Sequence, residues 1–520
     1  MDTGHEGTSA WGGVLAGLLV FAALLASFPE KLWHWDEFQL AYGVTDFDLT
    51  RHEPHPPGYY LFIVLGRTLA PFAGDPALAL RWVSAASIAL FAGLAAGPAS
   101  PALGFGARAG IAAAAVAFAL ASPLTTRLGV AALSYAAEGV AWLAWLLLLA
   151  RHAGNGRGVV LGFAGGLAGG IRPTLALWAA FLLLVRQFGR NRAGAQTFAA
   201  MAAAGAVGVG LWLVPLLWES GGLTAYLDAT GALASGNVWA KSVFVTGFGV
   251  GATRLAAMLS DLVTSLGLVA PAFLALIAWR LRGGGGPALA RLDPLLHGAA
   301  LAFAFYALVI YDTPGYLAAV VLPLAAWCLR ATSFWLAGLA GRRQAAGATG
   351  AVLLAGAGAV LPGGSVDPGY ALHDRLLETR FAAVRENFDP SDTLLVTSRE
   401  YWDYALRHVA HDLPRFTTLQ LARDPYFAMT SASKPLLAAR ERRLQAVGPE
   451  PLDLAGLVPD GTLRRVVYMV PFDAADFVAP ACGKLTRGWE TSLGETLPVL
   501  ELRAGWRLVA RGGRLYCIAP

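Results

Sequence analysis

Long apolar runs separated by short polar turns fill the chain up to about residue 362. A helix that crosses a bilayer needs roughly 20 mostly apolar residues. Residues 11–29 qualify. Further runs follow at 81–99, 109–122, 138–151, 158–171, 173–186, 195–218, 254–280, 295–311, 314–330 and 345–362. The run 58–73 is short and has Arg67 near its middle, which suits a re-entrant or interfacial helix. With that run set aside, about eleven spans remain. The start of the chain lacks a basic n-region, so the first run reads as a retained span, not a cleaved signal. Gly-rich stretches such as 165–170 read as close helix contacts.

After residue 364 the pattern changes. Residues 393–397 and 466–470 are short β-branched runs, as strands require. Residues 375–387 and 401–408 have helical spacing, and 506–518 reads as a hairpin around Gly512-Gly513. The predicted fold is therefore mainly α. A polytopic transmembrane helical domain spans 1–364, and a soluble α/β domain spans 365–520.

Composition supports the division. The chain is 56% hydrophobic and only 14% charged, against about 25% charged residues in soluble domains. Of the 34 acidic residues, 19 fall in 365–520, so the tail is the part built for water.

Charge then orients the spans. Arg108, Arg151, Arg157, Arg186, Arg190, Arg192, Arg280, Arg282, Arg291, Arg330, Arg342 and Arg343 fall in alternate turns. The opposite turns hold only Arg127, Arg172, Lys241 and Arg254 after the first loop. The positive-inside bias places the N-terminus in the cytoplasm, and the first loop and the tail outside. The net charge of +5 needs no nucleic acid to explain it. Only four of 39 basic residues are Lys, which points to a bacterial source and hence to the inner membrane, with a periplasmic or extracellular tail. Three cysteines make no metal-site spacing. Cys328 reads as a packing residue, and Cys482 and Cys517 as a disulfide on the oxidising side.

Candidate chemistry concentrates in the first loop. Residues 30–57 hold Glu30, Asp36, Glu37, Asp46, Asp48 and Glu53. A membrane enzyme that transfers a group from a lipid-linked donor would need a carboxylate to take the acceptor proton. It would need cations to hold a departing anionic group and an apolar groove for the lipid chain. Asp36 and Glu37 supply the first, basic residues of neighbouring turns the second, and the helix 58–73 the third.

Trp33-His34-Trp35-Asp36-Glu37, followed by His55-Pro56-Pro57-Gly58-Tyr59-Tyr60, resembles the membrane mannosyltransferase and aminoarabinose-transferase families of the C-type (GT-C) glycosyltransferase fold. Arg81-Trp82-Val83-Ser84, Glu138, and Pro314-Gly315-Tyr316 with Pro323 continue the resemblance. Two positions depart from the family pattern. Asp312-Thr313 stand where a basic residue is common, and Gly58 replaces a Leu.

The resemblance implies catalytic roles for Asp36, Glu37 and Glu138, and substrate contacts from His55, Tyr59, Arg81 and Tyr316, while Arg172, Lys241 and Arg254 are candidate substrate contacts from their place on the outer turns. It implies a polyprenyl-phosphate-sugar donor, a glycan, lipid or protein acceptor, and the bilayer as partners. No cofactor is assigned, and a divalent metal at Asp36 and Glu138 stays open. A lipid or lipid-linked-sugar transporter or flippase is the alternative. Transporters place ionisable groups near the bilayer midplane on broken, repeated helices, whereas these acids cluster beside one span end.

Overall fold

The computed structural model describes residues 4–29, 31–32, 34–49, 53–97, 103–151, 158–188, 194–267, 269–283, 286–311, 313–339, 341–356, 368–398, 409, 412–421, 444–446, 452–459, 461–469, 483–490, 496–511 and 514–520. Two compact units emerge. One is Met1–Phe28 with Leu40–Pro368; the other is Pro29–Gln39 with Gly369–Pro520. The first-loop segment that carries Asp36 and Glu37 thus belongs to the second unit.

The helices run in the order α1 (Gly4–Leu25), α2 (Trp35–Thr45), α3 (Tyr60–Ala73), α4 (Pro76–Ala96), α5 (Phe105–Ala121) and α6 (Pro123–Val130). Next come α7 (Tyr135–Arg151), α8 (Gly158–Ala168), α9 (Pro173–Phe188), α10 (Ala195–Glu219), α11 (Leu223–Leu233) and α12 (Val243–Leu266). Then follow α13 (Val269–Leu281), α14 (Gly286–Ala290), α15 (Asp293–Leu308), α16 (Ala318–Ala337) and α17 (Gly341–Gly356). The second unit adds α18 (Pro368–Asn387).

Among the described residues, four helical segments are long and apolar enough to cross a membrane: Pro76–Ala96, Ala195–Glu219, Val243–Leu266 and Pro314–Ala337. The pair α5 and α6, bent by 70° at Ser122-Pro123, makes a fifth. Shorter apolar helices account for most of the remaining runs. Burial sorts these helices. The stretch 314–337 is almost wholly buried and forms the centre of the bundle, while most of α10 is not. On α10, Val207, Leu211, Val214 and Trp218 recur at helical spacing and are all exposed. An apolar stripe of that kind is stable against lipid, not water. The opposite face of α10 lies tightly on α8. A Cβ at Gly166 would come within 2.1 Å of the Gly205 carbonyl, so only a small residue permits this backbone approach.

One predicted span is corrected. Residues 254–280 are not a single helix, because the chain turns at Gly267 (φ 54, ψ −135) between α12 and α13. The end of α12 is tied down there. Ser122 Oγ donates to the Ser265 carbonyl at 2.7 Å, and Tyr311 donates to Asp261 at 2.5 Å. Asp261, unassigned on sequence grounds, is thus the acceptor that a half-buried Tyr requires.

Arg67 explains why the short helix α3 tolerates a charge. Its guanidinium donates to both Glu219 oxygens, at 2.9 and 2.8 Å, and to the Val44 carbonyl at 3.1 Å. Tyr60 donates to the same carboxylate at 2.7 Å. The last residue of α10 therefore clamps the start and middle of α3, a partner the sequence did not reveal. Glu219→Gln should lower stability by about 1.5–3 kcal/mol, the usual worth of hydrogen bonds to a charged group. A drop in the midpoint of thermal unfolding in detergent checks it, and an unchanged midpoint would show that the clamp contributes nothing.

In the second unit, a six-stranded sheet has the order β3 (Leu444–Ala446), β2 (Thr417–Leu421), β1 (Thr393–Ser398), β5 (Arg465–Tyr468), β7 (Thr496–Leu502), β6 (Gly483–Glu490). The pairs β3–β2, β2–β1 and β1–β5 are parallel, and β5–β7 and β7–β6 are antiparallel. A small antiparallel sheet orders β4 (Leu452–Asp453), β8 (Arg507–Arg511) and β9 (Arg514–Ile518). Strand alternation builds two cores. Leu394, Val396, Val466 and Tyr468 face Leu454 and Leu508 on one side. Leu395 and Val467 face Leu377, Phe381, Val384 and Phe388 of α18 on the other. Between Thr486 and Trp489 the register of β6 shifts opposite Pro498, which has no N–H to give the ladder.

The predicted strands at 393–397 and 466–470, the helix at 375–387 and the hairpin at 506–518 correspond to β1, β5, α18 and β8–β9. The predicted helix 401–408 and the hairpin tip Gly512-Gly513 lie outside the described residues, as does Cys482. Cys517 is disulfide-bonded, whereas Cys328 is a buried free thiol.

Candidate active site

Five of the residues singled out by sequence meet in the first unit. Glu138 lies in the first turn of α7 and is fully buried. Arg172 precedes Pro173, the first residue of α9, and its Nη1 donates to Glu138 Oε2 at 2.7 Å. The other carboxylate oxygen, Oε1, accepts from Tyr306 of α15 at 2.5 Å. The Arg172 guanidinium lies over three rings, with centroids 5.5 Å away for Tyr59 and 4.9 Å for both Tyr135 and Tyr316. Each stacked ring contributes up to about 2 kcal/mol once water is excluded. Tyr59 in turn shares a 3.0 Å hydrogen bond with His55 Nε2.

Local sequence makes this geometry possible. Gly58 has φ 105, a value that disfavours the family's Leu, and Tyr59 follows at φ 44 in the left-handed region. A non-Gly residue there costs roughly 1–2 kcal/mol. The pair of turned residues aims the Tyr59 ring at Arg172 and its hydroxyl at His55. Leu61 N donates to the Gly170 carbonyl at 2.8 Å, which pins the start of α3 to the turn that presents Arg172. At Gly315 a Cβ would lie 2.6 Å from the Tyr135 ring, so Pro314-Gly315-Tyr316 works as a seat for that ring.

Arg81 is buried on α4, and Ser84, one turn on, donates to the Leu133 carbonyl at 3.1 Å, just before α7. Lys241 and Arg254 meet each other at the start of α12, where the Arg254 guanidinium donates to the Lys241 carbonyl. Thr313 Oγ1 accepts from Gly315 N at 3.5 Å and caps the turn into Tyr316, while Asp312 lies outside the described residues.

The acid pair of the second unit stands at the start of α2. Glu37 Oε2 accepts from His34 N at 2.7 Å, and Glu37 N donates to the His34 carbonyl at 2.9 Å. Glu37 is thus the reciprocal half of a capping box and is buried. Asp36 N donates to His34 Nδ1 at 3.1 Å, and the Asp36 carboxylate approaches the same nitrogen at 3.6 Å. Asp36 is half-buried beside Glu37 in the first turn of α2.

Sequence reasoning missed Tyr135, Tyr306 and Trp178. Trp178 stacks edge-on against Tyr306, with centroids 5.5 Å apart. The one available signal was a Tyr inside an otherwise apolar run, which needs a polar partner when buried. Among the described residues, no group of three or more His, Cys, Asp or Glu is placed to hold a metal ion. At Glu138 the donor set does not fit one, because both oxygens are engaged and Arg172 already meets the charge.

A helical membrane unit of this order, joined to an α/β unit, has the C-type glycosyltransferase fold. Its likeness runs through nearly the whole chain of a solved structure, ArnT from Cupriavidus metallidurans bound to undecaprenyl phosphate. The identity is 13%, the TM-score 0.59, and the match covers 95% of this chain and 97% of that one. The same protein in the apo state matches at 14% identity and TM-score 0.56, over 94% and 96% of the two chains. At these identities the likeness establishes the fold, and it bears out the resemblance drawn from the first loop. No protein-family model and no curated protein matches the sequence.

Proposed function

We propose that this chain is an integral membrane glycosyltransferase that moves a sugar from a polyprenyl-phosphate-linked donor to an acceptor outside the cytoplasm. The observation that carries the reading is the fold shared, over 94% or more of both chains, with ArnT, which has been solved with undecaprenyl phosphate. The first-loop acids and the turned His55–Tyr59 segment support it. The protein sits in a bacterial inner membrane with its N-terminus in the cytoplasm and its α/β unit on the opposite side.

In this reading the acceptor hydroxyl oxygen attacks the anomeric carbon while Asp36 takes its proton. The bond from that carbon to the phosphate oxygen breaks, and polyprenyl phosphate leaves. Lys241 and Arg254, paired at the start of α12, hold the leaving phosphate, together with His55 and Arg81. Glu37 fixes the helix that presents Asp36. Glu138 and Arg172 neutralise each other, so their role is to hold Tyr59 and Tyr316 rigid around the donor. A single displacement inverts the anomeric configuration. NMR of the product glycan should therefore show the linkage opposite to that of the donor, and a retained linkage would exclude the mechanism.

A further inference from the structure

Lys31 lies five residues before Asp36, within the segment that belongs to the α/β unit. Its ammonium reaches Glu378 at 2.9 Å and Asp412 at 3.3 Å, and it stands 5.8 Å from the centroid of the Phe381 ring. Glu378 and Phe381 are one turn apart on α18, and Phe381 is part of the core between that helix and the sheet. Only 15% of the Lys31 side chain and 10% of that of Asp412 is exposed, while that of Glu378 is 41% exposed. Exposed ion pairs contribute about 0–1 kcal/mol; this one is a shielded cation with two carboxylates and a ring fixed to a core. Burial by itself lowers the pKa of the ammonium, but the bonds and charges of Glu378 and Asp412 outweigh it and raise it above its ordinary value.

We infer that Lys31 is a positioning residue that pins the Asp36-bearing segment to the α/β unit. The α/β unit then carries the base. The inference rests on the proposed role of Asp36. Precise placement of a base matters because a misplacement of about 1 Å costs on the order of 100-fold in rate.

The test uses the full-length enzyme. Lys31→Met keeps the aliphatic stem and removes the charge. Its kcat should fall roughly 10- to 100-fold, with donor KM within about twofold of wild type. Lys31→Arg should recover most of the loss. Hydrogen exchange, measured without substrate, should rise in residues 31–39 of Lys31→Met and stay unchanged in β1 and β5, which report that the unit is folded. Wild-type exchange in 31–39, or raised exchange with unchanged kcat, would overturn the inference. If the wild type transferred no sugar, the functional reading would fall and the catalytic role of Lys31 with it. Exchange would still show whether Lys31 anchors the segment.

Discussion

Asp36→Asn is expected to abolish sugar transfer while the protein still inserts, folds and binds donor. The substitution preserves size and removes only the proton-accepting charge. Loss of general-base catalysis costs roughly 10²- to 10⁴-fold in kcat. The stability penalty should be small, because an acid near a helix N-terminus contributes only about 0.3–1 kcal/mol. Glu37→Gln is the paired control. Gln still accepts from His34 N, so the capping box survives and the rate should change far less than in Asp36→Asn. Single-turnover kinetics on both variants decides between them. A larger loss for Glu37→Gln would reverse the assignment of base and brace.

Arg172→Met is expected to give a large stability loss. It leaves the Glu138 carboxylate fully buried, with Tyr306 as its remaining partner in the cage. Breaking one side of a buried ion pair costs about 3–5 kcal/mol. It also removes the cation from between Tyr59, Tyr135 and Tyr316. The double variant Glu138→Gln with Arg172→Met should recover much of the loss, because no uncompensated charge remains. A double-mutant cycle from thermal unfolding in detergent measures the coupling. Additive losses would mean that the pair does not act as a unit.

These two sites differ in how plainly the chain announced them. The Asp36-Glu37 pair stood out because six acids lie in one short loop beside an apolar run. What the spacing could not reveal is that Glu37 folds back on His34, since capping geometry depends on where the helix begins. Glu138 and Arg172 were each suspected alone. Their pairing across 34 positions is a tertiary fact with no local signature. Arg67 and Glu219, 152 positions apart, are the same kind of case.

The helices were legible wherever an apolar run ended in a charged turn. The failure at 254–280 came from reading hydropathy through Gly267, where the backbone turns with no charged residue beside it to mark the end of the helix. In the α/β unit, β1 and β5 are the β-branched central strands and were found. The strands β6 and β7 were missed because one is largely polar and the other contains Pro498, which argues against a sheet interior. The membership of residues 29–39 in the α/β unit had no local sequence signal, because the Lys31 ion pairs to Glu378 and Asp412 join positions far apart in the chain.

The central claim is that this protein consumes a polyprenyl-phosphate sugar. The direct measurement is release of polyprenyl phosphate from a radiolabelled polyprenyl-phosphate sugar in proteoliposomes that contain native-membrane acceptors. Wild-type protein should release the lipid phosphate in step with label appearing in the acceptor, and Asp36→Asn should do neither. Label that crosses the bilayer still attached to its lipid, with no release in either protein, would contradict the account and identify a transporter.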